Sequence, residues 1–492
     1  MRKLRKMTAT SVLAGFLSVL VACGGGGGTT PPPKVGPTGK VPEVTKPLSV
    51  EAGKKFTDAL ESFVAHDKAN DWNEATCADA AKKFEAAHDE ETSRKFSEAT
   101  YNAGLAFQRC SNDKEAKARF EKALSEDPKF HHAKAALALY QYKADTNEDA
   151  AIATLQQAVL DAQFQNVPAL VNLAMFQMQR DAATAGDGCK DDMECAKKNL
   201  QRALAIDDAF MPAFNQLALY YFQLAKKRAG ASRLSAKGSR GRSIATNAAM
   251  GKRADVQQLE LAALVCSQAI RKNKDYAPIH NTAGLIQNEL GQVNGAVGEF
   301  SVAAKLDPKF FEAQMNYAAV NLSFRGFKQA EDAYRKALEM RPNDYDAHLG
   351  MALAMRGQID DVNYDKQVAG VQAELDTCKK LDAARPDVYY NEGILTHEYK
   401  AKAGGGNPAT IKALTEAMGI FQQFMDKAQG KAEYDGAVKR SKERVQDIKD
   451  TIQFLELPGA TTPPPAAAAT PAPAAAAPAA ATPPAAAPPA KK

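Results

Sequence analysis

The sequence predicts an all-α solenoid: a superhelix of eight to nine antiparallel helix pairs with a disordered N-terminal tether and C-terminal tail. Three observations predict it. First, three windows of the chain align without gaps. Gly104 is followed by Ala116, Phe120, Ala123 and Pro128; Gly284 by Ala296, Phe300, Ala303 and Pro308; Ala318 by Ala330, Tyr334, Ala337 and Pro342. Such self-similarity at a fixed period marks a stacked array. Second, only eight of the 25 prolines lie between residues 48 and 457, and several of these close a window. Proline cannot continue a helix, so it falls between units. Third, the chain is 45% hydrophobic and 25% charged, which suits a packed protein rather than a disordered or collagen-like one.

In chain order, residues 1–22 come first. Arg2, Lys3, Arg5 and Lys6 precede a short apolar stretch, Val12 to Ala22, too short to span a bilayer as a helix. A basic start, an apolar core and small residues at a cleavage point describe a secretory signal. Leu20-Val21-Ala22-Cys23 resembles the bacterial lipobox, which implies a lipoprotein signal peptide and acylation of Cys23, with palmitate among the acyl chains. Several chains together anchor firmly. By resemblance to enterobacterial lipoprotein sorting, Gly24 after the cysteine implies the outer membrane. Residues 23–47 then form a Gly/Pro tether of roughly 25–30 Å as a flexible coil.

Residues 48–430 form the array. Within each window the small residues sit where two helices approach closely, and the aromatic fills the groove between them. These windows resemble the tetratricopeptide repeat (TPR), and the resemblance implies a TPR solenoid that presents a concave surface to protein partners. Looser copies fill the gaps: Ala80, Phe84 and Ala87; Ala138, Ala151, Leu155 and Ala158; Ala174, Ala196, Leu200 and Ala203; Ala218, Ala262, Cys266 and Ala269; Ala352, Cys378 and Pro386; Gly393, Ala417 and Phe421. Residues 226–253 interrupt the fifth pair as a basic insertion rich in Gly, Ser and Ala, read as a flexible arm. Residues 431–457 make a capping helix with Val445, Ile448, Ile452 and Leu455 at helical spacing. Residues 458–492 are almost wholly Pro, Ala and Thr, a disordered tail reaching about 110 Å if extended.

Charge follows the same divisions. The net charge is +5, yet the first 22 residues carry four bases and no acids. The insertion carries nine bases (Lys226, Lys227, Arg228, Arg233, Lys237, Arg240, Arg242, Lys252 and Arg253) and no acids, which leaves −8 for the rest. A uniformly basic nucleic-acid binder is disfavoured. The arm has two readings: contact with an acidic partner or anionic headgroups, or a solvated loop.

Seven cysteines are present. Cys77 and Cys110 should lie on one edge of neighbouring repeats, within reach of a disulfide. Cys189 and Cys195 flank an enlarged loop and can close it. Cys266 and Cys378 occupy the groove-filling position and read as buried thiols. Free thiols throughout remain the alternative for the two pairs.

Searching for chemistry yields no catalytic residues, no cofactor site and no metal site. His397-Glu398 lacks the second histidine of a zinc pair, and Gly36-Pro37-Thr38-Gly39-Lys40 is followed by valine rather than Ser or Thr. Asp187, Asp191, Asp192 and Glu194 do not have EF-hand spacing and read as a solvated loop. What remains is surface. The resemblance places Tyr101, Asn102, Gln108 and Arg109, then Asn172 and Met175, then Met315 and Asn316, then Tyr390 and Asn391 on the concave face. Four of these are asparagines at one repeat position. Such a row either bonds an extended peptide or bonds neighbouring helices.

As a whole the chain resembles the TPR lipoproteins of the adventurous gliding motility complex of myxobacteria, in its lipobox, tether, array length and charged terminal helix. The resemblance implies a scaffold held in the outer membrane by its N-terminal lipid and facing the periplasm. Its partners would be protein subunits of an envelope complex, with peptidoglycan within reach of the Pro/Ala tail and no nucleic acid. Two other readings stay open: an assembly factor or pilotin for a pilus secretin or outer-membrane protein insertion, and an activator or binder of peptidoglycan-synthesising enzymes.

Overall fold

The computed structural model describes residues 47–69, 71–184, 188–238, 244–402 and 406–457, without the side chains of 229–255. The signal, Cys23, most of the tether and the Pro/Ala tail lie outside them. Nineteen α-helices and no strand occur among the described residues. The fold is the predicted all-α array of helix pairs.

In order, the helices are α1 (Val50–Ala69), α2 (Glu74–Glu90), α3 (Ser97–Arg109), α4 (Asp113–Glu126), α5 (His131–Asp145) and α6 (Glu148–Asp161). Next come α7 (Val167–Arg180), α8 (Asp192–Ile206), α9 (Met211–Gly238), α10 (Ile244–Lys272), α11 (Ala277–Glu289), α12 (Val293–Leu306) and α13 (Phe311–Ser323). Then follow α14 (Phe327–Met340), α15 (Tyr345–Arg356), α16 (Tyr364–Leu381), α17 (Asp387–Glu398), α18 (Gly406–Ala428) and α19 (Asp435–Leu455). They fall into two compact units, Met1–Val320 and Asn321–Lys492.

In the first unit each helix from α1 to α12 packs on its chain neighbour. First helices of successive pairs also touch, as α7 does α9 and α9 does α11. Short polar caps start the second helices. Asn73 caps α2 with a reciprocal bond to Thr76, and Asn112, Asn147 and Asp191 cap α4, α6 and α8. At the turns inside the pairs the chain enters the left-handed region, at Ser111, Thr146, Asp181 and Gly291. Only the last of these is a glycine, so the other three turns hold a conformation unfavourable for L-residues.

The spacing of small and aromatic residues has the predicted cause. Phe120 is fully buried, with its ring over Gly104. A Cβ at Gly104 would meet that ring at 2.6 Å, and one at Gly284 would meet the Phe300 ring at 2.6 Å. Gly284→Ala should therefore destabilise the first unit by about 1–3 kcal/mol, although alanine is the better helix former. Urea unfolding followed by circular dichroism checks this, and a rise in midpoint would contradict it. In the second unit, Gly393 meets Phe421 at 2.7 Å in the same way.

The second unit ends on α19, which packs against α18. Ile448 and Leu455 are buried there, with Val445 and Ile452 partly buried beside them. Among the described residues no helix is long and apolar enough to cross a membrane.

The basic insertion differs from expectation. Its residues do not form one loop. Residues 226–238 continue α9 and residues 244–253 begin α10, and the two helices pack together. At 28 and 29 residues each helix is about 42 Å long. The physical reason lies in composition: Ala, Lys and Arg are strong helix formers, and they outweigh the scattered glycines. Arg240 and Arg242 lie outside the described residues. Lys227 pairs with Asp181 at 2.7 Å, and the Lys226 ammonium sits 4.5 Å from the Phe222 ring centre, so these two are engaged within the array.

Candidate functional site: the first-helix face and its polar rungs

The predicted concave residues are less open than their sequence positions suggest. Tyr101 is buried against Phe120, Phe130 and His132. Gln108 is buried and donates to the Tyr140 hydroxyl at 3.3 Å. Asn172 and Met175 are buried as well. These four are corrected from surface to interior. Their helices are flanked on both sides by neighbouring pairs, and little of the face is left to solvent. Asn102, Met315, Asn316, Tyr390 and Asn391 remain half-buried, whereas the Arg109 side chain is only 6% exposed.

The asparagine row is spent largely on the array itself. The Asn102 amide donates to the Glu98 carbonyl one turn back. Asn316 donates to Asn281 Oδ1 at 2.8 Å, from one pair to the previous one. Asn391 accepts from Arg356 at 3.0 Å and donates to the Asp387 carbonyl. The same link occurs where the row holds no asparagine: the buried Thr282 hydroxyl donates to Asn215 Oδ1 at 2.7 Å. Thus a polar residue three before the small position of one pair bonds a polar residue two before it in the next. In a low-dielectric seam these rungs satisfy groups that would otherwise be costly to bury. Asn215, Asn281 and Thr282 were not singled out from sequence. The signal was available: polar residues interrupt an apolar helix face at a fixed offset from Ala218 and Gly284.

Histidines make a second recurring link. Imidazole Nδ1 of His280 lies 2.7 Å from Glu299 Oε2, and Nε2 lies 2.8 Å from the Lys274 carbonyl. In the second unit, His348 repeats this with Glu374 at 2.6 Å and the Pro342 carbonyl at 2.8 Å. The hydrogen bond to Glu299 raises the His280 pKa, outweighing burial, which lowers it. A raised folded value contributes stability that is complete below the ordinary histidine pKa and is lost as pH rises through the folded value. The melting temperature of the wild type should accordingly fall between pH 6 and 9 by more than that of His280→Gln. Parallel melting curves across that range would contradict the assignment.

The acidic loop is structural. Asp191 caps α8, and Glu194 pairs with Lys198 at 2.9 Å. Asp192 is fully buried and receives both Nε and Nη2 of Arg180 and the Ala182 N–H, at 2.7–2.8 Å. Asp187 lies outside the described residues. No group of metal-binding side chains occurs among the described residues.

Cys77 and Cys110 form a disulfide, as do Cys189 and Cys195, with Cα separations of 6.3 and 5.4 Å. The first ties the start of α2 to the end of α3, and the second closes the enlarged loop. Cys266 and Cys378 are buried free thiols, and burial pushes both up to about 12.

No protein-family model matches the chain, and no curated protein matches it. Among solved structures it is similar to a thermophilic TPR protein of Thermus thermophilus at 25% identity, over 46% of this chain and 99% of that one, with a TM-score of 0.35. It is similar to pilF of Pseudomonas aeruginosa at 14% identity, over 56% of this chain and 96% of that one, with a TM-score of 0.37. It is also similar to YrrB, a TPR protein with an unusual peptide-binding site, at 14% identity, over 50% of this chain and 97% of that one, with a TM-score of 0.33.

Proposed function

We propose that the chain is a lipid-anchored scaffold that joins protein subunits of an envelope complex. The observation that carries this reading is the array itself: helix pairs stacked side by side, bolted by buried rungs, with half-buried side chains left along the first-helix face. Within each unit, stacked helix pairs present side chains from several repeats together, which suits contact with protein partners. Cys23 in its lipobox supports acylation, and Gly24 supports retention in the outer membrane with the array facing the periplasm. The resemblance to gliding-motility lipoproteins supports a motility machine as the particular complex.

Two measurements test this. Metabolic labelling with palmitate should mark the wild type and not Cys23→Ala. Affinity purification from crosslinked cells should recover subunits of one trans-envelope machine. Recovery of cell-wall synthases alone would sink the motility reading, and label in Cys23→Ala would sink the anchor.

A further inference from the structure

A cavity of about 480 Å³ lies at the edge of the first two helix pairs, beside the Cys77–Cys110 disulfide. Its size suits one or two side chains. It sits at the turns within the pairs, apart from the half-buried asparagines of the first-helix face. Trp72 and Phe107 supply aromatic wall, and Lys309, from the turn between α12 and α13, supplies an exposed ammonium.

Arg109 also lines this cavity, and its side chain is only 6% exposed. Its Nε and Nη2 bond the Asp67 carboxylate at 2.8 and 3.1 Å, and its guanidinium lies 5.1 Å from the Phe63 ring centre. Its buried Nη1 has no hydrogen-bond partner among the described residues. A guanidinium N–H left unpaired in a buried position is costly and marks a place where an acceptor belongs.

Electrostatics add to this. The helix N-caps Asn73 and Asn112 both line the cavity, so the positive ends of α2 and α4 point to the same space. Glu74 is an exposed carboxylate on the wall and opposes them in part. Against it stand Lys309 and two helix dipoles; Asp67 offsets the Arg109 charge, which leaves the Arg109 Nη1 N–H as an unpaired donor.

We infer that this cavity docks an acidic partner peptide, a side-chain carboxylate meeting Arg109 and Lys309 while a neighbouring aromatic or apolar residue lies against Trp72 and Phe107. The inference rests on the scaffold reading and names the chemistry of one partner contact.

Trp72 is the single tryptophan of the chain, so its fluorescence reports on this cavity alone. The full chain, purified in detergent, is titrated with acetyl-Phe-Glu-Glu-amide and with its Phe-Gln-Gln counterpart. The acidic probe should give a saturable emission change that the neutral probe does not. Lys309→Glu should weaken it roughly tenfold, and Lys309→Ala should weaken it less, both keeping the wild-type circular dichroism. No response to the acidic probe, an equal response to both probes, or unchanged binding by Lys309→Glu overturns the inference. An equal response to sodium acetate at the same concentration also overturns it, by assigning the cavity to a free carboxylate. Unchanged recovery of envelope subunits by Lys309→Glu would leave the scaffold standing while the cavity falls, so the two failures are distinguishable.

Discussion

Phe120→Ala should cost about 3–5 kcal/mol, the range for emptying a large aromatic from a packed core. Phe120 is fully buried between α3 and α4, with Tyr101 and Tyr140 ring centres at 5.3 and 5.9 Å. Gly104 faces the ring with no side chain to collapse into the gap, so the cavity would persist. Stability in an array is a sum of units and interfaces, and the loss should concentrate around α3–α6. Hydrogen exchange checks this: protection should drop in α3–α6 and hold in the second unit. Uniform loss over the whole chain would show that the array unfolds as one cooperative block.

Asp192→Ala is expected to cost about 3 kcal/mol, at the low end for breaking a buried ion pair. The carboxylate is fully buried and takes two bonds from Arg180 and one from the Ala182 N–H. Arg180 keeps a second partner, Asp149 at 2.7 Å, and is partly exposed, which holds the cost down. The same contacts set a pH dependence. Burial alone would raise the Asp192 pKa, and the bonds from Arg180 and Ala182 override it, so the net shift is downward. A depressed folded value contributes stability above the unfolded pKa that is lost as pH falls through the folded one. Urea midpoints of wild type and variant should therefore differ at pH 7 and converge toward pH 2. A constant gap would assign the loss to packing instead of charge.

Much of the fold was legible because its determinants are local. The steps of twelve, four, three and five residues fall within one helix pair and its turn, so Gly104, Ala116, Phe120 and Ala123 announce their own packing. The disulfide partners were legible for a related reason: Cys77 and Cys110 sit near one repeat period apart. The basic insertion was misread because its glycines and serines suggested a loop, whereas its Ala, Lys and Arg content sustains two paired helices. The face was misread more deeply. Tyr101, Gln108, Asn172 and Met175 occupy positions that look open on an isolated helix, and burial depends on the neighbours.

The sequence by itself determined an all-α chain of repeated helix pairs and the cysteine pairs within reach of each other. Those follow from periodicities and compositions that hold wherever the segment is placed. Only the tertiary structure decided that the polar rungs close on each other, Asn215 on Thr282 and Asn281 on Asn316. It alone brought Lys309 to the cavity that Trp72 and Arg109 line. The physical reason is stacking: residues 35 or 67 apart meet when one pair settles on the next, and residues some 200 apart meet through the accumulated geometry of many pairs. No local pattern encodes that sum.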